Sequence, residues 1–135
     1  FIPDIIQIPC NIFDNRFEKT GWIKKLSNNN IEIHARSIFL QGIIFEKNLP
    51  SYFNPWKDTI INFHNNLIKQ RVTPFNATLK YLSNIKGLDT VIVGVKNSNQ
   101  IKMLSNYKEP EKKIIFKNYA IDNELLLNPS KWKKI

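Results

Sequence analysis

Three short segments carry the near-continuous, β-branched apolar pattern of buried parallel strands: Ile5-Ile6-Gln7-Ile8-Pro9, Ile31-Glu32-Ile33-His34-Ala35 and Thr90-Val91-Ile92-Val93-Gly94-Val95. Between them the apolar period lengthens to that of helices. Trp22, Ile23 and Leu26 lie three to four apart and share a face, and the run dissolves at Asn28-Asn29-Asn30, where a left-handed stop is easy. Asn54-Pro55 supplies an N-cap and a proline at the first helical position, followed by Trp56, Ile60, Phe63 and Leu67 at helical spacing. Thr73-Pro74 repeats the device ahead of a stripe of Phe75, Leu79, Leu82 and Ile85, with Gly87 placed to end the helix. Ser98 or Asn99 caps a further helix through Leu104, and beyond Pro110 the chain is less regular.

Strand, helix, strand, helices, strand predicts an α/β fold with a parallel sheet and right-handed crossovers. Three strands cannot close a barrel, and the first and third present unpaired edges. Something must cover them, either upstream strands or other copies of the chain. The sequence opens at Phe1, without an initiator Met and nearly inside an apolar strand, so we expect a piece of a longer protein.

Composition narrows the picture. With 135 residues, 42% hydrophobic and 23% charged, the chain holds one compact domain and is too small for two well-cored ones. One cysteine, Cys10, excludes an internal disulfide, and two histidines with it fall short of a usual structural zinc set, so burial alone must hold the core. Apolar runs such as Ile43–Phe45 and Leu125–Leu127 fall far below the roughly 20 residues that cross a bilayer. No secretory leader opens the sequence, and we expect a soluble, cytoplasmic protein. The net charge of +9 would suit a polyanion if it were gathered on one face. Instead the basic residues come as scattered pairs, Lys24-Lys25, Lys112-Lys113 and Lys133-Lys134, with only three Arg, the usual pattern of a solvated surface.

Parallel α/β folds place ligands at the carboxyl ends of their strands, and three such ends here carry distinctive words. They are Gln7-Ile8-Pro9-Cys10-Asn11-Ile12-Phe13-Asp14, His34-Ala35-Arg36-Ser37-Ile38-Phe39-Leu40-Gln41-Gly42 and Val93-Gly94-Val95-Lys96-Asn97-Ser98-Asn99-Gln100. In order and spacing they resemble the last three βα units of the aldo/keto reductase family, TIM-type (β/α)8 barrels that reduce carbonyls with NADPH. The resemblance covers about residues 1–107 and extends to Asn128-Pro129-Ser130-Lys131-Trp132. It is strongest toward bacterial members with an Ala-Arg-Ser-Ile/Val-Phe-Leu-Gln-Gly word after the seventh strand. The resemblance implies a single domain over 1–135, with βα units in 1–107 and a C-terminal tail in 108–135. This would be the cofactor-binding, C-terminal portion of the barrel, incomplete on its own.

It also implies roles. Gln7 resembles the family glutamine that hydrogen-bonds the nicotinamide carboxamide, a group needing both donor and acceptor; its plain alternative is a Gln satisfying local backbone. Ser37, Phe39, Leu40 and Gly42 match the loop along the cofactor pyrophosphate, where main-chain N–H groups and a hydroxyl suit phosphate oxygens, although an ordinary strand-to-helix turn reads the same. Arg36 stands where many relatives place an aromatic that stacks on the nicotinamide. It can stack there, turn toward phosphate or an acidic substrate group, or remain a surface Arg. Gly94 and Lys96 match the corner that meets the adenosine 2'-phosphate, where a cation favours NADPH over NADH; the alternative is one more solvated Lys. Gln100 corresponds to a residue near the adenine ribose. Met103 and Leu104 depart from the family, which often carries Glu and Asn there.

The Asp, Tyr, Lys and His that do the family's chemistry belong to earlier strands, so the expected enzyme is an NADP(H)-dependent oxidoreductase of which this chain supplies the cofactor half. Alone it should be inert. Its partners would be a carbonyl substrate and either the missing barrel half or a second copy over the open edges, with no membrane and no nucleic acid. Tyr52, Tyr81, Tyr107 and Tyr119 are not recruited as acids, His34 and His64 read as packing or surface residues, and Cys10 as an apolar filler. Trp22, Trp56 and Trp132 are assigned to helix packing and tail docking. The 42–55 stretch, with Leu49-Pro50 and Tyr52-Phe53, is a candidate substrate-facing loop. The alternatives are a non-enzymatic, basic nucleic-acid-binding module and a strand-pairing assembly element.

Overall fold

The computed structural model describes residues 2–132, so Phe1 and the Lys133-Lys134 pair lie outside the described residues. Strands β1 (Ile5–Pro9), β2 (Glu32–Arg36) and β3 (Thr90–Val91) form one parallel sheet in the order β1-β2-β3. Ile5 pairs with Glu32 and Pro9 with Arg36, while His34 and Ala35 pair with Thr90 and Val91. Strand β3 is far shorter than the six-residue apolar word predicts. After Ile92 donates to the Ala35 carbonyl at 2.8 Å, β2 ends and Ser37 turns away at φ +55°, so Val93–Val95 has no neighbour to pair with.

Helices α1 (Arg16–Lys19) and α2 (Trp22–Ser27) follow β1; α3 (Lys57–Gln70) and α4 (Pro74–Ser83) follow β2; α5 (Ser98–Ser105) and α6 (Glu124–Leu127) complete the chain. Ile23 of α2, Leu82 of α4 and Ile85 just beyond it pack on the face of the sheet that presents Ile8, Ile33 and Ala35. Both crossovers therefore cover the same face, the arrangement of a barrel wall rather than of a doubly wound sheet. The opposite face carries Ile5, Gln7, Glu32, His34 and Arg36, alternating with the buried set at the strand period of two. The fold is thus an open arc of a (β/α) barrel.

Capping chemistry sets several helix boundaries. Thr73 Oγ1 accepts from the Asn76 N–H at 3.2 Å and Pro74 opens α4, as its sequence predicts. The same device fails at Asn54-Pro55. Residues Ser51–Trp56 wind a tighter 3-10 turn with Pro55 inside it, and α3 starts only at Lys57, with no side-chain cap. Asn97, one residue before the predicted Ser98 or Asn99, caps α5 by accepting from Gln100 N–H at 3.0 Å. Asn30 at φ +58° ends the first helical unit in the left-handed conformation its position suggested. Trp22 is not a packing residue. It is half exposed, with the Lys25 ammonium 4.6 Å from its ring centroid, because Ile23 and Leu26 already fill the buried side of this short helix.

The tail closes a second core around α3. Phe63 meets Phe13 and Tyr119 edge-on, both at 5.4 Å, and Trp132 meets Phe53 at 5.0 Å while its indole donates to the Leu126 carbonyl. Leu126 and Leu127 are buried, and Leu125 faces outward. Phe53 is fully buried and the Tyr52 hydroxyl donates to the Leu125 carbonyl at 2.8 Å, which makes this part of the 42–55 stretch a packing element and not an exposed substrate loop. Among the described residues no helix is long and apolar enough to cross a membrane.

Candidate functional site

Parallel pairing puts the carboxyl ends of all three strands at one edge of the sheet, and a cleft of about 460 Å³ opens there between the loop after β2 and the segment leading into α5. Of the residues the sequence singles out, Ser37, Phe39, Gly42, Gly94, Lys96 and Gln100 line it. Gln7, Arg36 and Leu40 do not. Gln7 sits on the open face opposite His34, and Arg36 lies two residues further along the same face of the neighbouring strand.

The loop after β2 has an unusual backbone. Ser37, Leu40 and Gln41 have φ of +55°, +44° and +53°, and Gly42 has +96°, so three side-chain-bearing residues occupy the left-handed region within five positions. This winding settles which main-chain donors are free. The Leu40 N–H is bonded to the Ser37 carbonyl at 3.0 Å and the Gly42 N–H to the Phe39 carbonyl at 2.8 Å. The N–H groups of Ser37, Ile38 and Phe39 have no partner among the described residues. Of the loop residues the sequence singles out, Ser37 and Phe39 therefore keep free main-chain donors, and Leu40 and Gly42 do not. The Leu40 side chain is core, 1% exposed, and packs with Ile43, Ile44 and Phe53.

Arg36 is exposed and its guanidinium donates to Ser37 Oγ at 3.3 Å, which leaves the hydroxyl proton available; no acid pairs with Arg36 among the described residues. It leans toward the loop. On the other wall Gln100 Oε1 accepts from the Lys96 N–H at 2.6 Å, so the Gln100 carbonyl holds the Lys96 corner and only its amide N–H₂ remains to meet a ligand. Lys96 itself is exposed at the start of α5, where free N–H groups and the helix dipole favour an anion.

One part of the cleft was hidden from the sequence. Phe39 stacks on Phe75 at 5.8 Å and 26° and tilts against Phe45 at 5.0 Å, and Met103 and Leu104 line the wall one turn beyond Gln100. Residues 100, 103 and 104 share a helix face, so this wall runs from the cation Lys96 to an apolar end. Phe75 reads as core at helical spacing, and only the fold shows that it doubles as cleft lining.

No tyrosine stands at a strand end. Tyr52 is bonded into the tail and Tyr81 donates to Glu18 at 3.2 Å; the Tyr107 and Tyr119 hydroxyls are buried with no hydrogen-bond partner among the described residues. Burial pushes the Tyr81 hydroxyl well up, with Glu18 adding to the effect. Cys10 is 1% exposed, and burial, then Asp14 and Glu18, push its thiol up to about 12, which fits a filler and not a nucleophile. His34 bonds Glu32 at 2.7 Å on the open face, and His64 is buried beside Phe63.

No curated protein and no solved structure matches the chain. The model of the aldo/keto reductase family matches residues 2–112, spanning all three strands and both walls of the cleft. A singly wound parallel arc, with its cleft at the carboxyl ends of the strands, is what such a barrel segment should look like, and the chain belongs to the aldo/keto reductase family.

Proposed function

We propose that the cleft binds NADP(H), in a cytoplasmic oxidoreductase that reduces a carbonyl compound, and that this chain supplies the cofactor side of its active site. Family membership carries the oxidoreductase type. The observation that carries the finer reading is the shared cleft: Ser37, Phe39, Gly42, Gly94, Lys96 and Gln100 come from two distant words and line one volume. That volume fits the group. Free N–H groups and a hydroxyl at Ser37–Phe39 suit a pyrophosphate, Lys96 suits a further phosphate, and the aromatic and Met103–Leu104 surfaces suit a planar base.

When bound, NADPH supplies a hydride to the carbonyl carbon. The residues of this chain bind and orient it. Ser37 and the following N–H groups hold the diphosphate; Lys96, as a point cation two residues before α5, selects the 2'-phosphate; Gln7, on the open face with both amide functions free of partners among the described residues, faces the nicotinamide end. Arg36 backs the phosphate loop through Ser37 Oγ. The open face and both sheet edges are where the other strands of the barrel, or a second copy, would seat.

Replacing Lys96 with Met should weaken NADPH by about 1–3 kcal/mol, the range for a lost hydrogen bond to a charged group, and leave NADH nearly unchanged. Titration of both dinucleotides by fluorescence reads this directly. Equal losses for the two would remove Lys96 from the 2'-phosphate. Steep salt-dependent binding of nucleic acid with no binding of NADPH would favour the basic-module alternative instead.

A further inference from the structure

Asn11 is a buried polar side chain with both halves of its amide hydrogen-bonded. It is 1% exposed at the end of β1, and its Oδ1 accepts from the main-chain N–H groups of Phe13, at 2.9 Å, and Asp14, at 3.0 Å. Those two donors fix the amide orientation, since a flipped Asn would set N–H against N–H. The Nδ2 group therefore faces Ser37, and it donates to the Ser37 carbonyl at 3.1 Å. Asp14, equally buried, pairs both carboxylate oxygens with the Arg16 guanidinium at 2.8 and 3.0 Å, and its main chain exchanges two hydrogen bonds with Asn11. The corner after β1 is thus a closed, rigid knot.

Ser37 is where this knot touches the second corner. A side-chain-bearing residue at φ +55° needs support from its surroundings, and its carbonyl already accepts from Leu40 N–H at 3.0 Å. The Asn11 amide supplies the second bond to that oxygen. We infer that Asn11 is a positioning residue: by holding the Ser37 carbonyl it sets the left-handed turn that leaves the Ser37, Ile38 and Phe39 N–H groups free to receive the cofactor diphosphate. Asn11 lines no part of the cleft; it acts through Ser37. The inference rests on the NADP(H) reading above.

The test separates parts of the ligand. Asn11→Asp keeps the acceptor for Phe13 and Asp14 and sets an oxygen against the Ser37 carbonyl; Asn11→Ser keeps a shorter acceptor and has no reach to Ser37. Each variant and the unmodified protein would be titrated with NADPH and with adenosine 2'-monophosphate, which carries the base and 2'-phosphate but no diphosphate, and thermal midpoints would be recorded. The expected result is a loss of tenfold or more for NADPH, with adenosine 2'-monophosphate changed by less than twofold, in whichever variant keeps a cooperative unfolding transition. NADPH affinity within twofold of the unmodified protein overturns the role of Asn11 alone. Parallel losses for both ligands, or loss of cooperative unfolding in both variants, overturn it in favour of a general structural role. An unmodified protein that binds neither ligand overturns the NADP(H) reading and this inference together.

Discussion

The two faces of the sheet are built from the same three strands and have opposite fates. One face, Ile8, Ile33 and Ala35 with Ile6 and Val91 at the margin, is sealed by α2 and α4. The other presents Gln7, His34 and Arg36 among Ile5 and Ile92, both more than a third exposed. Stability resides on the first face, and the proposed ligand contacts lie on the second face and the strand ends. A barrel wall has this asymmetry by construction, because its outer face is closed by its own helices and its inner face by the remaining strands.

Mutation should expose the asymmetry first as stability. Ile33 is fully buried, and Ile33→Ala should cost about 2–5 kcal/mol in urea unfolding, whereas Ile5→Ser on the open face should stay within about 0.5 kcal/mol. Similar costs for the two would mean that the open face is covered in solution. A smaller effect is expected where the two covering helices converge. Gly87 has φ +88°, and a Cβ there would lie 3.1 Å from the Ser27 Cβ at the end of α2, so Gly87→Ala should destabilise by more than about 1 kcal/mol.

The α3 core gives a pH signature through His64. Burial, and then the Lys47 charge, hold His64 below its ordinary value of 6.5, and its Nε2 is buried without a partner among the described residues. The unfolded chain takes up the proton first. This contribution is therefore fully present above about pH 6.5 and is lost as the pH falls from there toward the lower folded value. Thermal midpoints should decline over that window, and His64→Phe should flatten the decline.

The strands and the α4 helix were legible because apolar period and Thr-Pro capping are local signals. The length of β3 was not, since it depends on where the neighbouring strand turns away at Ser37. The start of α3 was also misread: Asn54-Pro55 reads equally well as a cap or as a 3-10 turn, and the packing of Phe53 and Trp56 chooses between them. At the site, the words gave the identity of Ser37, Lys96 and Gln100 as cleft residues. They could not show that Leu40 and Gly42 have their N–H groups bonded, because that follows from four positive φ values. Nor could they show Asn11 reaching Ser37, a contact between residues far apart in sequence whose only local trace is a polar residue in an apolar word.

The most direct measurement is an amide footprint of NADPH on the protein, by NMR shifts or hydrogen exchange. Perturbation should concentrate at Ser37–Phe39 and Gly94–Gln100, with Gln7 affected and the α3 core around His64 and Tyr119 silent. A response that avoids both corners, or binding with changes confined to α3 and the tail, would contradict a dinucleotide cleft at the ends of β2 and β3.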